Sequence, residues 1–177
     1  MNKRYFTQTK IILETENKKK LTHLTSTGEA QMVDIHKKQP THRTALATGE
    51  IQFSNPDAIN LIKTNGNKKG DVISVSRIAS IMAVKRTSEL IPLCHPLSIT
   101  KINVDFNVDE RLNKIGIEVK VECDGKTGVE MEAMTGASVG LLTVYDMCKA
   151  VDKLMVIDAV RVLEKKGGKS GDWKVDR

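Results

Sequence analysis

An α+β fold, an antiparallel sheet with helices packed on one face, follows from three features of the sequence. Two neighbouring segments alternate apolar and polar residues, Ile102, Val104, Phe106, Val108 and then Ile115, Ile117, Val119, Val121, the period of half-buried strands. The stretch Gly125–Lys153 instead repeats Val129, Ala133, Ala137, Leu141, Val144, Cys148 and Val151 at helical spacing. The patterns run in the order strand, two helices, two strands, helix, strand.

Taken in order, residues 1–20 show no sustained periodicity and end in lysines, which reads as an extension ahead of a single domain over 21–177. Glu14 and Glu16 argue against an organelle presequence. A strand is expected over Arg43–Phe53, then a helix to Lys63 started by Ser54-Asn55-Pro56. The polar loop Thr64–Asp71 leads to a second helix over Ser74–Leu90, with Val75, Ile78, Ala79, Met82 and Ala83 on its core face. Two prolines stiffen Ile91–Leu97, and the turn Asp109–Lys114 closes the hairpin. After the long helix comes a strand near Met155–Leu163, then the glycine-rich tail Glu164–Trp173. This order fits the ferredoxin-like split βαβ arrangement.

Composition narrows the function classes. At 177 residues, 40% hydrophobic and 28% charged, the chain suits one soluble domain. No apolar run approaches the roughly eighteen residues of a membrane span, and no secretory signal is evident, so an intracellular protein without a membrane partner is expected. Cys94, Cys123 and Cys148 form neither a disulfide framework nor a CxxC metal spacing. A net charge of +6 favours polyanions, while 3% aromatic content argues against stacking on single-stranded nucleic acid.

Candidate chemistry concentrates on the long helix. Glu132, Thr135, Ser138, Thr143, Asp146 and Lys149 form a polar stripe expected to face water or a ligand. Asp146 and Lys149 are neighbours at i, i+3, suited to proton exchange; an ordinary surface ion pair is the competing reading. Glu132 lies fourteen residues from Asp146, about 21 Å along a continuous helix. Either the Glu130–Glu132 end is not helical or a second protomer completes each site. Gly136 and Gly140 leave a smooth strip for a close neighbour, a partner's backbone or the chain's own sheet. Gly125-Lys126-Thr127 and Gly168-Lys169-Ser170 are not Walker A loops, because the required first glycine would fall on Lys120 and Leu163. The second could still set lysines and amides against an anion, although simple flexibility competes.

In order along the chain stand LTHL and GEAQMVD, KKGDV, ELIPLCHPL, GKTGVEMEAMTGAS, YDMCKAVDK and KKGGKSGDW. With these motifs the chain resembles cyclic pyranopterin monophosphate synthase, the molybdenum cofactor biosynthesis protein C family, from Leu21 to Trp173. The resemblance implies a lyase that converts (8S)-3',8-cyclo-7,8-dihydroguanosine 5'-triphosphate, supplied by a radical SAM GTP 3',8-cyclase, to cyclic pyranopterin monophosphate and diphosphate. It also implies a homohexamer, a trimer of dimers, with interfacial sites; no cofactor, metal or nucleic-acid partner is expected. The compartment implied is the bacterial cytoplasm, or the mitochondrial matrix in a eukaryote. The family's catalytic positions fall on Asp146, Lys149, Lys69 and Glu130, and its substrate contacts on Leu93, Cys94, His95, Met131, Glu132, Arg43 and Lys165. Gly136 and Gly140 stand where the family often has alanine, and Trp173 where it often has Phe. The competing classes are a non-catalytic ligand- or RNA-binding module, against which the ionisable pair in an apolar helix and the scarce aromatics argue, and a dead scaffold, against which the intact matches at Lys69, His95, Glu130, Asp146 and Lys149 argue.

Overall fold

The computed structural model describes residues 23–25, 27–64, 66 and 68–175. The expected extension over 1–20 and the domain start at Leu21 lie outside them. The chain divides into two compact units, 1–31 and 32–177. In the first, Leu24 and Ala30 make an antiparallel bridge around Gly28, whose φ of 86° suits a residue without a Cβ.

The second unit carries the sheet, in the order β2-β3-β1-β4-β5, with every pairing antiparallel. Its strands are β1 (Thr41–Gln52), β2 (Ile99–Asp109), β3 (Lys114–Gly125), β4 (Val156–Lys166) and β5 (Trp173–Lys174); its helices are α1 (Asp57–Lys63), α2 (Val72–Lys85), α3 (Thr87–Leu90) and α4 (Glu130–Cys148). Together they form an α+β, ferredoxin-like fold. β2 and β3 form the hairpin that the alternation predicts. Its turn is fixed by the Leu112 amide on the Asp109 carboxylate at 3.0 Å and by Asn113 at φ 51°.

One face of the sheet is sealed. Ala45, Ala47 and Ile51 of β1 and Ile115, Ile117, Val119, Val121 and Cys123 of β3 are essentially solvent-free, in one core with Val129, just ahead of α4, and Ala133, Ala137, Leu141 and Val144 of α4. The helix is shorter than its sequence pattern. Gly125 belongs to β3, Gly128 to the connector, and Val151 lies beyond the end and is exposed.

α2 turns a different face to the core from the one its apolar spacing suggests. Val72, Ser76, Ser80, Ala83 and Val84 are buried, whereas Val75, Ile78 and Met82 point outward. The cause lies on α4. A Cβ on Gly136 would come within 2.7 Å of Val84 Cγ2 and 3.0 Å of Val119 Cγ1; one on Gly140 would come within 2.5 Å of Ile117 Cδ1. The glycine strip therefore receives α2 and β3, and small serines fit against it where branched side chains would not.

The connection around α1 is set by a buried carboxylate. Asp152, 2% exposed, accepts the Ser54 amide at 2.6 Å, the Ser54 hydroxyl at 2.7 Å and the Leu154 amide at 2.9 Å. Ser54 thus ties the end of α4 to the end of β1 rather than capping α1. Asn55 takes up the Asp57 amide at 3.1 Å, and no side chain caps the helix at Pro56. The glycine-rich tail is ordered: β5 pairs with Glu164 and Lys165, and the Gly167 amide bonds to Asp172 at 2.7 Å.

Candidate functional site

α4 carries an ionisable cluster at each end. At its C-terminus the Asp146 carboxylate receives Lys149 Nζ on Oδ1 at 2.6 Å and Lys69 Nζ on Oδ2 at 2.9 Å. Lys69 also donates to the Asp146 carbonyl at 2.8 Å, satisfying one of the acceptors that a helix end leaves open. The hydrogen bonds from Lys149 and Lys69 hold the Asp146 carboxyl down at about 2, and the bond to Asp146 pushes Lys149 above the usual lysine range. At neutral pH the group is an ionised acceptor between two ammonium donors. All three side chains are about half exposed, so the cluster contributes little to stability and is open to a ligand.

At the N-terminal end, Glu130 pairs with Lys165 Nζ at 2.8 Å, and Lys165 also reaches Ser170 Oγ at 3.0 Å. Arg43, on the covered face at the start of β1 and only 7% exposed, donates Nε to the Gly125 carbonyl at 2.7 Å. These groups line a cleft of about 940 Å³, whose walls also include Thr127, Gly128 and Lys169. The volume suits a nucleotide-sized ligand. A Cβ on Gly128 would overlap the curled-back Glu130 carboxylate, so a side chain there would push that carboxylate aside.

Glu132 departs from the stripe to which its spacing assigns it. It is 4% exposed and Thr135 is also buried, so the N-terminal half of the stripe faces protein, while Asp146 and Lys149 face water. Burial, reinforced by the Glu130 charge, raises the Glu132 carboxyl to about 7. It can therefore both give and accept a proton near neutrality. Cys94 lies within its electrostatic reach; burial first and Glu132 second push the Cys94 thiol up, so it stays protonated at neutral pH. Leu93 and His95 flank it on the same half-buried loop, and Met131 is exposed in the first turn of α4. Neither His95 nor Met131 is hydrogen-bonded to a described group of either cluster.

Within one chain these residues form two groups. Glu130, Lys165 and Arg43 converge, with Glu132 within electrostatic reach of Cys94 and of Cys123; Asp146, Lys149 and Lys69 converge elsewhere. Because α4 is helical from Glu130 onward, the sixteen residues from Glu130 to Asp146 put the groups about 24 Å apart along the axis. The sequence reading misses Lys37, Lys38, Thr127 and Gly128 as cleft walls, and Asp152 as a buried anchor. Adjacent lysines ahead of β1 were the only signal for the first pair. Among the described residues no group of three or more His, Cys, Asp or Glu could hold a metal ion, and no helix is long and apolar enough to cross a membrane.

The model of the MoaC family matches residues 32–168, both clusters included. The chain belongs to the MoaC family. MoaC proteins are enzymes of molybdenum cofactor biosynthesis, and that is the role of this chain. The fold also overlaps part of a crystal structure of the ferredoxin protease FusC, a point mutant in complex with Arabidopsis ferredoxin, at 14% identity and a TM-score of 0.29. That overlap covers 62% of this chain and 10% of the other, so the chain spans a tenth of that protein's length. A likeness this weak carries no argument.

Proposed function

We propose that this MoaC protein is a cyclic pyranopterin monophosphate synthase, a phosphorus–oxygen lyase. It takes (8S)-3',8-cyclo-7,8-dihydroguanosine 5'-triphosphate from a radical SAM GTP 3',8-cyclase and releases cyclic pyranopterin monophosphate and diphosphate. The observation that carries the reading is the pair of clusters at the ends of α4, one a proton-exchange group and the other a cationic cleft. Opening an imidazole ring and building a pterin moves several protons. Asp146 is the acceptor and Lys149 the donor in the protonation states that their mutual hydrogen bond fixes, carboxylate and ammonium. Glu132, poised near neutrality by burial, orients the purine or a water and shuttles a proton, with Glu130 beside it. Arg43, Lys165, Lys69 and His95 offer donors to the triphosphate, and Leu93, Cys94 and Met131 shape the wall against the base.

The roughly 24 Å between the clusters supports a site shared by two protomers, each giving one end of α4, within a homohexamer built as a trimer of dimers. The compartment is the cytoplasm of a bacterium, or the mitochondrial matrix if the chain is eukaryotic.

The test is to incubate the purified protein with the cyclised dihydroGTP and follow product as its fluorescent oxidised pterin. Wild type forms product, and Asp146→Asn and Lys149→Met each lose about 10²- to 10⁴-fold in turnover. No product from folded, oligomeric wild type refutes the synthase reading; variants within tenfold of wild type refute the acid–base roles.

A further inference from the structure

Lys149 stands where α4 ends, and no apolar side chain holds the chain just beyond it. From Lys149 to Leu154 every residue is exposed except Asp152, which is 2% exposed. A helix end frays when the chain that follows is loose. Fraying here would leave the Lys149 ammonium without a fixed place against Asp146.

The segment is pinned on both sides of Lys149. On one side Met147 and Cys148 are buried in the core. The Lys149 amide bonds to the Tyr145 carbonyl at 2.9 Å, and the Val151 and Asp152 amides both close onto the Cys148 carbonyl, at 2.9 and 3.1 Å. On the other side the Asp152 carboxylate takes the Ser54 amide at 2.6 Å, the Ser54 hydroxyl at 2.7 Å and the Leu154 amide at 2.9 Å. Ser54 follows Phe53, which is buried just past β1, so these bonds run to the sheet. Tyr145 Oη adds a longer tie, donating to the Lys153 carbonyl at 3.4 Å.

For stability alone an apolar residue at 152 would serve as well, without burying a charge. Hydrophobic burial is not directional, whereas three short hydrogen bonds to a carboxylate fix the turn in one place. Direction is what the neighbouring cluster needs, because Lys149, three residues earlier, must keep its 2.6 Å contact with Asp146.

We propose that Asp152 is a positioning residue for the reaction: by its bonds to Ser54 it fixes the chain after α4 and so holds the Lys149 ammonium in place against Asp146. The catalytic consequence rests on the synthase reading; the placement of Lys149 does not. Buried behind the turn, Asp152 acts through Lys149 and not on the substrate.

The experiment compares the full-length wild type with Asp152→Asn, Ser54→Ala and Ser54→Thr, well below their melting temperatures. Asp152→Asn keeps the shape but turns an NH2 donor toward a donor of Ser54. Ser54→Ala removes one bond and leaves the Asp152 charge intact, so its effect is one of position. Ser54→Thr keeps the hydroxyl, and Ser54 is exposed, with room for the methyl. In turnover of the cyclised dihydroGTP, Asp152→Asn lowers kcat about 10- to 100-fold, as expected when about 1 Å of misplacement can cost about 10²-fold. Ser54→Ala lowers it about three- to tenfold, and Ser54→Thr restores wild-type turnover. KM stays within about twofold throughout, as for an interaction made in the transition state. The second readout is the titration of Lys149 by NMR of ¹³C-methylated lysines, its signal identified by its loss in Lys149→Arg. In wild type it titrates above the ordinary lysine value because of its hydrogen bond to Asp146; loosening that bond brings it down toward the ordinary value in Asp152→Asn and Ser54→Ala. Unchanged titration of Lys149 in both variants overturns the proposal, even where melting temperature or kcat falls, because Asp152 would then be structural only. Lowered titration with wild-type kcat overturns the catalytic role. A shifted Lys149 titration with no turnover by wild type leaves the placement standing and removes the synthase reading instead.

Discussion

Glu132→Gln tests whether the site contains a carboxyl that titrates near neutrality. The glutamate is 4% exposed, and burial raises it from an ordinary 4.5 to about 7. A folded state that holds the proton more tightly than the unfolded chain gains stability that is fully present below pH 4.5 and lost as pH rises through 7. The difference corresponds to about 3 kcal/mol between the two limits. Glutamine has the same shape and never ionises, so the variant escapes that loss. Thermal unfolding of wild type and variant between pH 4.5 and pH 9 should give similar melting points at the acid end. At the alkaline end the variant should melt about 6–12 °C higher, at roughly 2–4 °C per kcal/mol for a chain of this size. A constant offset across the range would mean that Glu132 is already ionised at pH 5, and would remove its role as a proton carrier. The rate profile gives a second reading, because Asp146, held at about 2, cannot produce a limb near neutrality. A limb in kcat/KM near pH 7 should therefore vanish in Glu132→Gln and persist in Asp146→Glu.

Asp152→Ala removes three short hydrogen bonds from a buried carboxylate and should cost about 3 kcal/mol in chemical denaturation. Burial raises the Asp152 carboxyl, but the Ser54 hydroxyl and the Leu154, Ser54 and Asn55 amides outweigh it. The net lowering means that this stabilisation is present above the ordinary 3.8 and fades as pH falls below it; wild type and variant should converge in acid. Gly167→Ala forces a Cβ into the His42 carbonyl at a φ of 84°, costing about 1–3 kcal/mol and loosening the tail, seen as faster cleavage by a protease near Lys169. Mixing Asp146→Asn with Glu130→Gln protomers after partial unfolding should restore about a quarter of the wild-type sites. Half the dimers would then be mixed, and one of the two sites in each would have both ends intact. No recovery would place the whole site within one chain.

The parts of the fold legible in the sequence are those where one physical demand acts alone. The β2–β3 hairpin shows because its two faces meet different environments, and period two records that directly. α4 shows because it packs one stripe on the sheet over most of its length. α2 misleads because its neighbour is the glycine strip of α4: closeness of approach outranks apolarity, so Ser76 and Ser80 go inside and Ile78 goes out. A helical wheel also treats the polar stripe of α4 as a single environment, although Glu132 is covered and Asp146 is not. The chemistry divides in the same way. Asp146 and Lys149 are visible as i, i+3 neighbours, but Lys69 is seventy-seven residues from Asp146 and has no local pattern to link them. Lys37 and Lys38 look like solvated surface until β1 and the β4–β5 loop bring Arg43 and Lys169 to the same cleft. What the sequence hides is therefore long-range convergence of charge, the property on which both the proton-exchange cluster and the cationic cleft depend.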